Sequence, residues 1–227
     1  KEEQLKIARI MPDSLLPQLN NKKKQLLFDG CNFLNIKINE SQIDQLIDYS
    51  VLLGRWNQTY NLTAIRDPLD VIRFHLLDSL AINQFLEGSN FIDVGTGAGL
   101  PGIPLAIINP HRKFTLLDSN GKKTRFLFQA KLDLGLANID EINDRAERFF
   151  PEEQYDCVLT RAFASLGEMI KNCHHLLTLE GYFLAMKGRI DESELSEVTK
   201  NYKVSHSSPI NVPGVDGSRH ILKIIKS

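Results

Sequence analysis

The chain has 227 residues, of which 42% are hydrophobic and 24% charged, and its formal net charge is −1. This length and composition predict one globular α/β domain with a small addition. The near-neutral charge excludes a protein that binds nucleic acid through overall basicity, so a polyanionic partner would have to contact a local basic patch. No apolar run reaches the roughly 20 residues of a membrane span. The first residues contain acids and prolines, unlike a signal peptide, so we expect a cytoplasmic protein.

The three cysteines, Cys31, Cys157 and Cys173, are far apart and form no Cys-x-x-Cys pair. Such usage is typical of reduced thiols in a cytosolic protein, and it predicts neither a disulfide framework nor a zinc cluster. The sequence therefore predicts no metal site.

The first part of the chain, residues 1–88, has a helical pattern. A helix followed by a turn is predicted over residues 21–38, and further helices are predicted over residues 39–61 and 67–86. The second of them carries apolar side chains at helical spacing, with Asn39 or Ser41 as a suitable N-cap. The third begins with Asp-Pro, which places the proline in the first turn. We therefore expect a helical N-terminal segment over residues 1–88 that packs on the core.

From residue 89 onward, strand and helix patterns alternate. Strand-like segments occur at residues 90–95, 113–119, 138–144, 155–163 and 181–188, with helical patterns between them. This alternation predicts right-handed crossovers, and hence an α/β fold with a mostly parallel, twisted sheet and helices on both faces. Residues 201–227 hold two extended segments, which we expect to add an antiparallel strand pair at the sheet edge. The second predicted unit is residues 89–227.

The segment FIDVGTGAGLPG, residues 91–102, places four glycines directly after the first predicted strand. Glycines at such spacing bring backbone N–H groups close to a ligand at the carboxyl end of the sheet. One frame fits the dinucleotide pattern GxGxxG, with Asp118 about 20 residues further on. A second frame, Asp-x-Gly-x-Gly-x-Gly from Asp93, fits better, because the strand ends at that residue and Pro101 interrupts the first frame. No GxxxxGK[ST] occurs, which excludes a P-loop.

The second frame, DVGTGAG at residues 93–99, resembles motif I of class I S-adenosylmethionine-dependent methyltransferases. Longer strings follow in order, namely RWNQTYNLTAIRDP (55–68), HLLDSL (75–80), LLDSNGKKTRFL (116–127), TRAFASL (160–166) and KGR (187–189). Together they resemble the glucose-inhibited division protein B family, bacterial guanine-N7 methyltransferases of 16S ribosomal RNA. The resemblance covers the chain from about residue 36 to the end. It implies a Rossmann-like class I methyltransferase fold.

The resemblance also implies S-adenosylmethionine as the cofactor. Asp118 would accept hydrogen bonds from the ribose hydroxyls, and its carboxylate favours a cationic sulfonium nearby. Ala146 and Glu147 would flank the adenine. The cofactor-binding residues implied in this way are Asp93, Gly95, Thr96, Gly97, Gly99, Leu100, Asp118, Ser119, Ala146, Glu147 and Arg161.

The implied target atom, N7 of guanine, has an in-plane lone pair and carries no proton. Methyl transfer to it is a direct displacement without a general base, and an enzyme can promote it by aligning the two partners about 3 Å apart. The segment LTRAFAS also lacks the Asn/Asp-Pro-Pro-aromatic motif of amino-directed enzymes. The candidate catalytic residues are the cations Arg161, Lys187 and Arg145, which would receive RNA at the mouth of the cleft.

Other basic residues at predicted strand ends form a candidate RNA surface. They are Arg55, Arg66, Lys122, Lys123, Arg125, Arg189 and Arg219. For any one of them, the alternative is an ordinary solvated surface charge. Trp56 or Phe163 could stack on a base, but both are more typical of a core position. His75 is expected to be a hydrogen-bonded helix residue, and Asn61 and Thr63 are implied to shape the substrate side.

Two other functions remain open from the sequence. One is a class I methyltransferase of a small molecule, which suits the modest net charge. The other is a non-catalytic nucleotide-binding regulator of cell division. By the resemblance, the target guanine lies in the 530 loop of 16S ribosomal RNA, a component of the small ribosomal subunit, and we expect a monomer without a membrane partner.

Overall fold

The alternating patterns after residue 89 form one seven-stranded sheet. Its strands in chain order are β1 (Asn90–Val94), β2 (Lys113–Leu117), β3 (Ile139–Ile142), β4 (Tyr155–Thr160), β5 (Leu177–Lys187), β6 (Tyr202–Pro209) and β7 (His220–Lys226). Their spatial order is β3-β2-β1-β4-β5-β7-β6. The structure is a computed structural model, and it describes residues 16–161, 165–190, 192–198 and 200–227.

The first five strands pair in parallel, and β7 lies antiparallel between β5 and β6. The predicted mostly parallel sheet with an antiparallel edge is therefore confirmed. In the register, Val94 pairs with Leu117, which pairs with Ile142, so three strands end at one level. The strand order changes direction at β1, which lies between β2 and β4. In open α/β sheets, ligands bind at the carboxyl ends of the strands beside such a switch point.

The α-helices are α1 (Leu16–Phe33), α2 (Glu40–Tyr60), α3 (Pro68–Val71), α4 (Asp78–Leu80), α5 (Gly102–Ile108), α6 (Gly121–Leu134), α7 (Leu166–Cys173) and α8 (Glu192–Ser196). Helix α2 begins with a capping box: the Asn39 side chain accepts from the Gln42 N–H at 2.9 Å, and the Gln42 side chain accepts from the Asn39 N–H at 3.1 Å. Asn39, rather than Ser41, is thus the N-cap.

The prediction of one helix over residues 67–86 is wrong in its interior. Between α3 and α4, Ile72–Leu77 form a π-helical turn, in which the N–H of Asp78 donates to the carbonyl of Arg73, five residues earlier. A 3₁₀ turn then covers Asn83–Phe85. The apolar spacing of a helix does not distinguish these wider and tighter turns from α-helix. Single π turns occur frequently at functional sites.

Neighbouring residues of a strand point to opposite faces of the sheet, and helices pack on both of these faces. On one face, Phe91 of β1 belongs to a cluster that includes Leu46 of α2 and Phe126 of α6. On the other, Ile92 belongs to a cluster with Met169 of α7. The N-terminal helices therefore share the core of the sheet. The predicted boundary between residues 88 and 89 stays a prediction.

Hydrogen bonds fix the direction of α2 across the sheet. Near its start, Gln42 donates to the carbonyl of Ile107 at 3.1 Å, at the end of α5. In its middle, Tyr49 donates to the carbonyl of Ala98 at 2.6 Å, in the loop after β1. The C-terminal end of α2 therefore points toward the carboxyl edge of the sheet. None of the helices in the described part of the chain is long and apolar enough to span a membrane.

Candidate active site

The loop between β1 and α5 turns over the carboxyl end of the sheet. The N–H groups of Gly95 and Thr96 donate to the carbonyl of Leu117 at 2.9 and 3.2 Å, which ties the loop to the end of β2. Gly95, Gly97 and Gly99 have φ angles of +69°, +62° and +85°. Glycine adopts this left-handed conformation without the steric cost of a Cβ. The backbone of the loop thus requires these glycines.

The same glycines differ in what surrounds them. A Cβ on Gly95 would meet no atom within 4 Å, and one on Gly97 would make only ordinary contacts at 3.9 Å or more. A Cβ on Gly99 would collide with the side chain of Ile103 in α5. Gly95 and Gly97 therefore leave open space beside the loop, whereas Gly99 allows the loop to pack on its helix.

Asp118, directly after β2, joins the loop. Its carboxylate accepts hydrogen bonds from the N–H groups of Gly97 and Asn120, both at 2.9 Å, and Lys123 Nζ lies 3.5 Å away. The residue is only 6% exposed. An ionised carboxylate has about four acceptor positions, so Asp118 retains capacity for a hydroxyl donor of a ligand. The structure thus brings together the predicted glycine loop and Asp118, the residue predicted to bind the ribose.

Asp93 lies beneath the loop and is buried. Its Oδ2 accepts from the hydroxyl of Thr96 at 2.6 Å and the N–H of Gly102 at 2.8 Å. Its Oδ1 is buried and makes no hydrogen bond within the described residues. Burial raises the pKa of Asp93 to about 6, although its hydrogen bonds and Arg161 oppose this shift. A buried acceptor without a partner indicates that a ligand or water completes the site.

A cavity of about 160 Å³ opens beside the glycine loop, and we call it the loop cavity. Its lining residues are Leu62, Thr63, Gly95, Thr96, Gly97, Ala98, Leu100, Lys123 and Arg161. Five of the predicted cofactor residues are among them. Asp93, Gly99, Asp118, Ser119, Ala146 and Glu147 are not. The cofactor-binding roles of all eleven residues stay predictions.

A second cavity of about 280 Å³, the arginine cavity, shares Arg161 with the first. Its lining residues are Ile65, Phe74, His75, Asp78, Arg161, Met186, Lys187, Gly188, Ile210, Arg219 and His220. It contains two of the three candidate catalytic residues, Arg161 and Lys187, and one predicted RNA-binding residue, Arg219. Nζ of Lys187 pairs with Oε1 of Glu194 at 2.6 Å.

Asp78, which the sequence did not single out, lies between two arginines of the arginine cavity. Its Oδ2 is 3.5 Å from Arg161 Nη1, and its Oδ1 accepts from Arg219 Nε at 3.1 Å. Asp78 is 5% exposed. Burial raises the pKa of Asp78 above its usual value, while Arg161 and Arg219 act in the opposite direction. The one available signal was a carboxylate on the apolar face of the HLLDSL helix.

His75 connects the linings of the two cavities. Its Nε2 lies 2.7 Å from the hydroxyl of Thr63, which lines the loop cavity, and its Nδ1 lies 3.1 Å from the carbonyl of Phe74. Burial and, to a smaller extent, the positive charge of Arg161 lower the pKa of His75 to about 4. His75 is therefore neutral near pH 7. Its predicted place as a hydrogen-bonded helix residue is confirmed.

Apart from Lys123, which lines the loop cavity, the remaining candidates lie outside both cavities. Arg145 is exposed and pairs with Glu147 at 3.7 Å. Arg125 and Trp56 line a shallow pocket against α6, and the Trp56 ring packs edge-on against Phe126 at 5.6 Å. The remaining basic candidates, apart from half-buried Lys123, are exposed: Arg55, Arg66, Lys122 and Arg189. Phe163 lies outside the described residues.

The three cysteines are free and buried. Among the residues that the structure describes, no three His, Cys, Asp or Glu side chains gather as metal ligands would.

Solved structures with the same arrangement define the class of fold. The mitomycin 7-O-methyltransferase MmcR superposes with a TM-score of 0.57 and 14% identity, covering 80% of this chain and 66% of that one. TrmK of M. capricolum, solved with S-adenosyl-homocysteine, gives a TM-score of 0.53 and 19% identity, covering 66% and 67%. The protein has the Rossmann-like fold of these methyltransferases.

Sequence relatives define the family. The family model described as rRNA small subunit methyltransferase G matches residues 42–222. The ribosomal RNA small subunit methyltransferase G of Saccharophagus degradans is 51% identical over 191 residues, which cover 84% of this chain and 86% of that one. Its counterpart from Alteromonas mediterranea is 47% identical over 201 residues, which cover 88% and 95%. The chain belongs to the rRNA small subunit methyltransferase G family, also called GidB, and is a methyltransferase.

Proposed function

We propose that this protein transfers a methyl group from S-adenosylmethionine to N7 of a guanine in small-subunit ribosomal RNA, in the 530 loop. Family membership supports the reaction class and the RNA substrate. The observation that carries the proposal is the pair of adjoining cavities that share Arg161. One is lined by the glycine loop, which Asp118 and Asp93 hold through hydrogen bonds, and the other is lined by cations that suit a nucleotide.

The residues around the loop cavity fit S-adenosylmethionine. The open backbone at Gly95 and Gly97 accommodates close approach, and Asp118 can accept from ribose hydroxyls. The unpartnered Oδ1 of Asp93 supplies a buried acceptor beneath the loop. Two carboxylates favour a cofactor that carries sulfonium and ammonium charges. When bound, the cofactor supplies an electrophilic methyl group.

The reaction forms a bond from N7 to the methyl carbon and breaks the bond from that carbon to sulfur. The electron pair of the broken bond stays on sulfur, and the positive charge moves to the guanine ring. No proton is removed. The protein therefore has to hold N7 in line with the methyl group, and Arg161, at the junction of the cavities, is placed to orient both partners.

We propose that the predicted basic residues, most of them exposed and Lys123 and Arg219 half-buried, hold the RNA backbone. They lie near the carboxyl edge of the sheet: Arg55 toward the end of α2, Lys122, Lys123 and Arg125 in the first turns of α6, Arg189 after β5 and Arg219 before β7, with Arg66 in the loop that follows α2. Phosphate contacts fix the position of a nucleic acid and carry little sequence information. We also propose that the enzyme is a cytoplasmic monomer.

Methylation in vitro tests the proposal. The purified protein is incubated with radiolabelled S-adenosylmethionine and either small-subunit RNA or assembled small subunits, and the product is digested and analysed for N7-methylguanosine. We expect one labelled guanine and a rate that falls steeply with salt, because RNA binding releases counterions. Label in another atom or base would contradict the proposal. Salt-indifferent turnover of a metabolite would favour a small-molecule enzyme.

A further inference from the structure

A row of alternating charges forms one side of the arginine cavity. Arg161, Asp78 and Arg219 come from β4, α4 and β7 regions that are far apart in sequence, yet the two arginines contact opposite oxygens of one carboxylate, at 3.5 and 3.1 Å. Each oxygen has about two acceptor positions, so both retain one after these contacts. Asp78 is therefore a buried carboxylate with acceptor capacity in a cavity wall.

The rest of the cavity suits a flat heterocycle. Ile65, Phe74, Met186 and Ile210 provide apolar surface, and the volume of about 280 Å³ is near the lower end of small-molecule sites, about 300–1,000 Å³. A single base is thus a better match than an extended ligand. Recognition of a base that is turned out of its stack depends on hydrogen bonds to its Watson–Crick edge and on apolar contact with its faces.

The order of donor and acceptor in this wall matches guanine and opposes adenine. On guanine, O6 accepts, and the neighbouring N1–H and 2-amino group donate. On adenine, the 6-amino group donates and N1 accepts. An arginine followed by a carboxylate offers donors to O6 and acceptors to N1–H and the amino group. Because O6 lies beside N7 on guanine, placing O6 at Arg161 directs N7 toward the loop cavity, which Arg161 also lines.

We propose that Asp78 determines the specificity of the enzyme for guanine by accepting from N1–H and the 2-amino group, while Arg161 donates to O6. This inference rests on the proposed function and adds to it how the enzyme recognises the base. Arg219 holds the second oxygen of Asp78 and thereby fixes the plane of the carboxylate.

The test replaces the target guanine by inosine, which retains N7, O6 and N1–H but lacks the 2-amino group. Small-subunit RNA carrying either base at the target position is methylated by wild-type protein and by Asp78→Asn. We expect wild-type enzyme to prefer guanine by about 10- to 150-fold, the range for losing one hydrogen bond to a charged group. In Asp78→Asn, the ratio of the two rates should fall toward one.

Asp70→Asn is the matched control, because Asp70 also pairs with an arginine, Arg73 at 3.1 Å, but lies outside both cavities. It should retain the wild-type ratio. Cofactor binding and circular dichroism establish that each variant is folded. If Asp78→Asn does not fold, equal wild-type rates on guanine and inosine would still overturn the inference.

Equal wild-type rates on the two RNAs would overturn the inference, and so would an Asp78→Asn variant that slows both reactions by the same factor. The second result would mean that Asp78 only supports the arginines. Either result would leave the proposed function intact. Absence of N7-methylguanosine in every RNA offered to wild-type protein would instead refute the proposed function.

Discussion

The backbone N–H of Gly97 donates to the carboxylate of Asp118 at 2.9 Å. This bond joins the loop after β1 to the end of β2, so the side chain predicted to hold the ribose also holds the glycine loop in place. Positioning of the loop and the proposed recognition of the ribose therefore depend on one carboxylate.

Asp118→Ala should weaken binding of S-adenosylmethionine by about 10- to 150-fold, the range for losing a hydrogen bond to a charged group. Isothermal titration measures this change. Asp140→Ala is the control, because Asp140 is an exposed carboxylate on β3 that pairs with Lys131. An Asp118→Ala variant with unaltered affinity would exclude Asp118 from the cofactor site.

Gly97→Val should abolish cofactor binding while the fold survives. Valine at a φ of +62° is strained by about 1–3 kcal/mol, and its side chain would enter the loop cavity. Gly135→Val separates these effects, because Gly135 has a φ of +63° and open space around it but caps α6 outside the cavity. Both variants should lose similar stability, and only Gly97→Val should lose binding. Loss of binding in both would point to strain alone.

Arg161→Ala should slow RNA methylation by about 100-fold or more, as when one positioned group is removed from an active site. Thermal unfolding should change little by comparison, since the side chain is 28% exposed and Asp78 keeps its contact with Arg219. Arg112→Ala is the control, because Arg112 directly precedes β2, at the edge of the sheet opposite to Arg161, and donates to the carbonyl of Leu86. Equal activity of Arg161→Ala and wild-type protein would remove Arg161 from the mechanism.

Cofactor affinity should fall as the pH drops through about 6, because burial raises the pKa of Asp93 to that value and protonation removes a negative charge beneath the loop. The dissociation constant should then rise by up to about tenfold per pH unit. Asp93→Asn should bind weakly and without this dependence. If the dissociation constant changed with pH in the same way for wild-type protein and Asp93→Asn between pH 8 and 5, the role of Asp93 would be contradicted.

The raised pKa of Asp93 has the opposite effect on folding stability. Since the pKa of Asp93 is higher in the folded state than in the unfolded chain, folding takes up a proton between these values. The contribution of Asp93 to stability is therefore present at low pH and is lost as the pH rises through about 6. Protonation of Asp93 thus weakens cofactor binding but favours folding. The two effects can therefore be told apart by comparing pH titrations of wild-type protein and Asp93→Asn.

The glycine loop and Asp118 were predictable because each is a local pattern: a buried strand followed directly by glycine or by a carboxylate. The meeting of Asp78 with Arg161 and Arg219 was not, since it depends on how three distant segments are placed by the sheet order. The π turn before Asp78 was not predictable either, because its apolar residues follow the same spacing as those of an ordinary helix. Arg145 was chosen for its position near the third strand, but its side chain is exposed and lines neither cavity.

Mapping N7-methylguanosine in 16S ribosomal RNA from cells with and without this gene tests the proposed methylation in the cell. We expect one methylated guanine, in the 530 loop, that is absent without the gene. It should return with the wild-type gene but not with Gly97→Val. An unchanged methylation pattern in cells without the gene would show that this protein does not methylate that guanine.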